Sequence, residues 1–90
     1  MSVKANVYYF LPHLYNDRDE VEVNGTTVGQ CLEHLATLFP KARRWMFGKD
    51  GRVSNFVDVY VNFKMIDPEN LDKPVADGDT IHLVMMLTGG

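Results

Sequence analysis

Apolar and polar residues alternate over residues 3–11, VKANVYYFL, and such alternation predicts a half-buried strand. Val3, Ala5, Val7, Tyr9 and Leu11 share one side of it, and Lys4, Asn6, Tyr8 and Phe10 the other. Pro12 ends the ladder, because its nitrogen has no proton to donate. Asn16-Asp17 reads as part of a turn-prone connection. EVEVN, residues 20–24, alternates as a second strand, closed by Asn24-Gly25. The period then changes. Val28, Cys31, Leu32, Leu35 and Phe39 follow the i, i+3, i+4, i+7 spacing of one buried helical stripe. Thr27 with Gln30 three residues on makes a capping-box start. Pro40 ends that helix and suits the first position of a short second one, KARRWMF.

Residues 48–55, GKDGRVSN, are polar and glycine-bearing and predict a loop. FVDVYVNF, residues 56–63, predicts a strand with Val57, Val59, Val61 and Phe63 facing in. On the same pattern Phe56, Asp58, Tyr60 and Asn62 face out. Asp67-Pro68 breaks the alternation, and Leu71 and Val75 are core plugs of an irregular segment. Asp77-Gly78-Asp79 predicts a tight turn, TIHLVMML (80–87) the last strand, and Thr88-Gly89-Gly90 a flexible tail. The resulting class is α+β: a mixed sheet with one main helix packed on one face, in a single domain over residues 1–90. The other face of the sheet must meet water or a partner.

Composition narrows what such a domain does. Hydrophobic residues are 46% of the chain and charged residues 23%, which supports a packed core and excludes a disordered chain. Nine Lys and Arg against twelve Asp and Glu give a net charge of −3. That argues against nucleic acid, which calls for a basic footprint. No apolar run approaches the ~20 residues that span a membrane, and MSVKANVYYF has no secretory-signal pattern. The single cysteine, Cys31, permits no internal disulfide. It lies on the helical stripe, where a thiol serves as a small buried hydrophobe. The expected compartment is the cytoplasm. His13, His34 and His82 have no metal-ligand spacing, so no metal is assigned. Lys41, Arg43 and Arg44 read as solvated surface. Ninety residues also leave little wall for a self-contained active site, which points to a carrier or binding module and not to an enzyme.

The end of the chain makes a carrier concrete. A terminal Gly-Gly has no Cβ atoms and threads channels too narrow for other residues. Thr80-Ile81-His82-Leu83-Val84-Met85-Met86-Leu87-Thr88-Gly89-Gly90 resembles the last strand and tail of ubiquitin. Val59-Tyr60-Val61-Asn62 and Asp77-Gly78-Asp79 resemble the sulfur-carrier family. That family includes the small subunit of molybdopterin synthase, which serves molybdenum cofactor biosynthesis, and the carrier of thiamin synthesis. Residues 57–90 carry the specific motifs, and the element order extends the likeness over nearly the whole chain.

The resemblance implies the ubiquitin-like β-grasp fold and a mechanism. A partner of the ubiquitin-activating type, using ATP and magnesium, adenylates the Gly90 carboxylate. A sulfur donor displaces AMP and leaves a thiocarboxylate, which passes its sulfur to an acceptor enzyme or a larger synthase subunit. Gly90 is then the reacting residue and Gly89 supplies clearance, while no cofactor is bound by the chain itself. Ubiquitin carries arginines where this chain has Met86 and Thr88, which favours the carrier branch. The extra residues around 40–55 align it with longer variants, some serving cysteine synthesis.

On the outward sheet face, His82, Val84, Met86, Tyr60 and Phe10, with Leu87 next to them, are the candidate partner-binding residues. A contiguous apolar patch marks an interaction site, and methionine adapts to more than one partner. Tyr8 and Phe56 fall on the same face. Packing against the chain's own loops, near Trp45 and Phe47, is the other reading of these aromatics. The alternatives to a carrier are a ubiquitin-like modifier joined to lysines through Gly90, a tightly held synthase subunit, and a non-catalytic binding module with an inert tail.

Overall fold

The computed structural model describes residues 2–10, 16–54 and 57–86. Among these residues are five strands and two helices: β1 (Ser2–Phe10), β2 (Asn16–Asn24), α1 (Val28–Leu38), α2 (Pro40–Met46), β3 (Val57–Val61), β4 (Lys64–Met65) and β5 (Thr80–Met86). They form one sheet in the order β2-β1-β5-β3-β4. β1 and β5 run parallel at its centre, and the remaining neighbours are antiparallel.

The alternating strands bury one side each. Ala5 and Val7 of β1 lie opposite Ile81 and Leu83 of β5, which lie opposite Val61 and Val59 of β3, Val3 lies opposite Val23 of β2, and all are buried. α1 covers this face with Val28, Cys31, Leu32, Leu35 and Ala36. Each fully buried aliphatic side chain contributes about 1.5–3 kcal/mol, so this layer is the main source of stability. Leu71 and Phe39 are partly buried against it, and Val75 is inside. Met46 of α2 is also fully buried, while Phe47 packs at the core's edge on the helix side of the sheet.

The start of α1 is satisfied without a ligand. Gln30 N donates to Thr27 Oγ1 at 3.2 Å. The Gln30 carboxamide reaches one residue further back than a capping box requires and accepts from Thr26 N at 2.8 Å. Val28 N and Gly29 N donate to the carbonyls of Lys73 and Leu71 at 3.0 and 2.7 Å. The irregular segment thereby closes the helix N-terminus. Gly25 has to be glycine, because a Cβ there lies 2.9 Å from both Cys31 N and Cys31 Sγ.

Two sequence expectations are corrected. Asn16-Asp17 is not a turn: β2 begins at Asn16 and pairs along its length with β1, from Phe10↔Asn16 to Ser2↔Asn24. Phe63 does not face the core. β3 stops at Val61, and Asn62 and Phe63 form a two-residue turn into β4 that leaves Phe63 81% exposed.

Candidate functional site

The sheet face opposite α1 is set by register. Residues paired across strands point to the same side, so Glu20, Asn6, His82, Tyr60 and Met65 form one row across all five strands. The next row toward the end of β5 holds Tyr8, Val84 and Asp58. His82, Val84 and Tyr60 are thus on the predicted face, each partly exposed. Phe10 and Met86 are register partners in the row beyond, with side chains outside the described set. Phe56, Leu87, Gly89 and Gly90 lie outside the described residues.

His82 is the centre of this face. The Tyr8 hydroxyl and His82 Nδ1 share a hydrogen bond of 3.3 Å, and the two rings lie 5.9 Å apart at 22°. The Phe63 ring stacks on the histidine at 4.7 Å and 29°. Burial among these rings pushes His82 below its ordinary pKa of 6.5, because a dry site disfavours the charged imidazolium. Among the described residues, the buried Nε2 has no hydrogen-bond partner, and neither has the Oδ1 of Asn6, its register neighbour. Asn6 is only 5% exposed. Buried polar atoms are normally paired, so two adjacent unpaired ones mark this row as unlike ordinary surface.

The turn beside it is unusual as well. Asn62 and Phe63 have φ of 50° and 70°, the pair of positive values that defines a type I′ hairpin turn. Asparagine tolerates that region, whereas phenylalanine there costs of order 1–3 kcal/mol. Phe63 and Met65, the latter 59% exposed, extend the apolar surface past the residues expected from sequence. Asn6, Phe63 and Met65 were not among the expected site residues. The signal for Phe63 was an Asn-x pair between two apolar runs, which reads as a hairpin only when glycine follows the asparagine.

The turn is also the anchor for β5. Asn62 Nδ2 donates to Asp79 Oδ1 at 3.1 Å, and Thr80 N donates to Asn62 Oδ1 at 3.0 Å. The other Asp79 oxygen accepts from Ala76 N at 2.8 Å. These bonds, the backbone amide's first, hold the Asp79 carboxyl below its ordinary 3.8. Gly78, at φ 91°, turns the chain and donates to Ser2 O at 3.0 Å. The strand that leads to the tail is therefore fixed at its start to both β1 and the β3–β4 turn.

On the opposite side, Cys31 is buried and its thiol is pushed above 9.0 by that burial, which keeps it unreactive. Arg43 pairs with Glu33 at 2.7 Å on the exposed surface, a contact worth little.

Comparison with known proteins agrees with this architecture. A protein of Archaeoglobus fulgidus whose name proposes it as a sulfur carrier is 29% identical over 82 residues, covering 89% of this chain and 93% of its own. The crystal structure of SAMP1 from Haloferax volcanii superposes with a TM-score of 0.68 at 25% identity, covering 97% of this chain and 99% of its own. CysO in the Amycolatopsis orientalis BexX/CysO complex gives 0.62 at 26% identity, with 93% and 99% covered. The ThiS family matches residues 8–90, from the last residues of β1 onward and with both helices included, and the chain belongs to that family.

Proposed function

We propose that this chain is a sulfur carrier that works as a protein cosubstrate and not as a catalyst. The ThiS-family match supports the reading most strongly, because it covers residues 8–90 with Gly90 included. The Gly90 carboxylate resists nucleophiles, since its charge and resonance oppose attack. Its oxygen attacks the α-phosphorus of ATP on a partner enzyme, with magnesium, forming the acyl-adenylate and releasing pyrophosphate. A hydrosulfide-equivalent nucleophile from a sulfur donor then adds to the acyl carbon, and AMP leaves. The resulting thiocarboxylate gives its sulfur to an acceptor enzyme. In that scheme the sheet face around His82, Tyr60 and Val84 holds the partners, and Gly89 lets the tail enter.

The Archaeoglobus relative, named as a sulfur carrier, favours this reading, and CysO bound to BexX favours a chain that works on a partner protein. The molybdopterin-synthase small subunit is the corresponding role in the longer carriers. The SAMP1 likeness favours a second one, in which the same activated Gly90 is joined to lysines of target proteins. One experiment tests the shared step: ATP–pyrophosphate exchange by the organism's adenylating enzyme, with this chain as the acceptor of AMP. Exchange that requires Gly90 supports both readings. Thiocarboxylate on the free chain, as against isopeptide remnants on other proteins, separates them.

A further inference from the structure

The Phe63–His82 stack lies on the sheet face opposite the core. The Phe63 ring is 81% exposed, yet it covers the imidazole at 4.7 Å and 29°. Its backbone is fixed: Asn62 N donates to Thr80 O and Ile66 N to Val59 O, both at 2.9 Å. The ring can therefore leave His82 by rotating about its own side-chain bonds, with the turn unchanged.

The charge state of the imidazole decides whether that cover is favourable. A protonated ring carries two N–H donors. The Tyr8 hydroxyl oxygen, 3.3 Å from Nδ1, can accept one of them. Among the described residues, the buried Nε2 has no partner for the other. A charged donor without an acceptor loses more than a stacked phenyl ring at an exposed site returns. The neutral ring has no charge to hydrate, so it tolerates the cover.

The surrounding charges do not supply the missing partner. Register places Lys4 and Glu22 in the Thr80 row, and Glu20 and Tyr60 in the His82 row. Tyr8, Arg18 and Asp58 fall in the Val84 row. Lys64 of β4 pairs with the buried Val61 and is off this face. Burial alone lowers the His82 pKa from 6.5, so none of these groups sets it.

We propose that Phe63 is a lid worked by a proton: it closes over neutral His82 and swings out when His82 is protonated, letting water reach Nε2. The centre of the sheet face is then covered and neutral above 6.5, and open and cationic once pH falls through the folded value below it.

NMR titration of the wild-type chain, Phe63→Gly and His82→Gln tests this, with an amide spectrum of each to show that it is folded. Lid and proton are coupled reciprocally: a closed ring that disfavours the proton is disfavoured by the proton in turn. Phe63→Gly, whose glycine suits the turn, should raise the His82 midpoint by about 0.5 pH or more, which corresponds to about a threefold shift toward the open lid on protonation. In the wild type the Phe63 ring signals should move with the His82 midpoint, and the nuclear Overhauser contact between the two rings should fade in acid. In His82→Gln the Phe63 signals should not change through this range. Equal His82 midpoints in the wild type and Phe63→Gly overturn the lid. So does a ring contact that persists once His82 is protonated, or a Phe63 ring that still titrates in His82→Gln.

Discussion

Asn62 donates from its carboxamide to Asp79 Oδ1 at 3.1 Å while its own carbonyl accepts the Thr80 amide at 3.0 Å. The two halves of the motif read from sequence, V-x-V-N and D-G-D, are therefore one clamp, closed across 17 residues of chain. It also explains why asparagine stands at Asn62. Its backbone is left-handed at φ 50°, which asparagine accepts, and its side chain reaches the strand that leads to the tail.

Asn62→Ala loses both side-chain bonds and the left-handed preference, and is expected to lower stability by about 1–2 kcal/mol. Urea unfolding of the two proteins measures it. A change within about 0.3 kcal/mol would contradict the clamp.

The Asp79 carboxyl titrates below its ordinary 3.8 in the folded state, so the unfolded chain binds its proton first as pH falls. Its contribution is complete above 3.8 and is lost as pH drops through the lower folded value. Denaturant midpoints taken from about pH 5 to about pH 2 should fall more steeply in the wild type than in Asp79→Asn.

His82 has the same sign by a different route. Its folded pKa lies below 6.5, so the neutral ring favours folding above 6.5 and this contribution declines as pH drops toward the folded pKa. NMR titration should place the His82 midpoint below 6.5. In Phe63→Gly, which uncovers the ring, the midpoint should move up. A His82 that titrates at 6.5 or above in the wild type would contradict the covered ring.

On the helix side, Leu35 is fully buried at the centre of the α1 stripe. Leu35→Ala should destabilise by about 2–5 kcal/mol. Thr27→Ala, which removes the cap to Gln30 N, should lose about 1 kcal/mol. Chemical denaturation of both variants checks the order. Equal losses would mean that helix packing on the sheet does not dominate the stability.

β1, β3, β5, the second half of β2, the helix and its cap were legible because each repeats a local pattern: Val57, Val59 and Val61 alternate, and Val28, Cys31, Leu32 and Leu35 keep the helical period; the two-residue β4 was not read. Phe63 was misread because it continues that alternation past the end of β3. A two-residue turn without glycine carries no local signal. Asn16-Asp17 looked like a turn because its strand is set by pairing with Phe10 and Tyr9, a cross-strand relation that no short window contains. His82, Val84 and Tyr60 were found on one face by alternation alone. The unpaired atoms of Asn6 and His82 were not, since burial of a single polar atom depends on the whole sheet.

The most direct measurement of the central claim is the intact mass of the chain after incubation with the organism's adenylating enzyme, ATP, magnesium and a sulfide source. Replacement of one oxygen by sulfur at Gly90 predicts a gain of about 16 Da, confined to the C-terminal peptide and absent when Gly90 is deleted. An unchanged mass, under conditions where the enzyme loads another carrier, would contradict the claim.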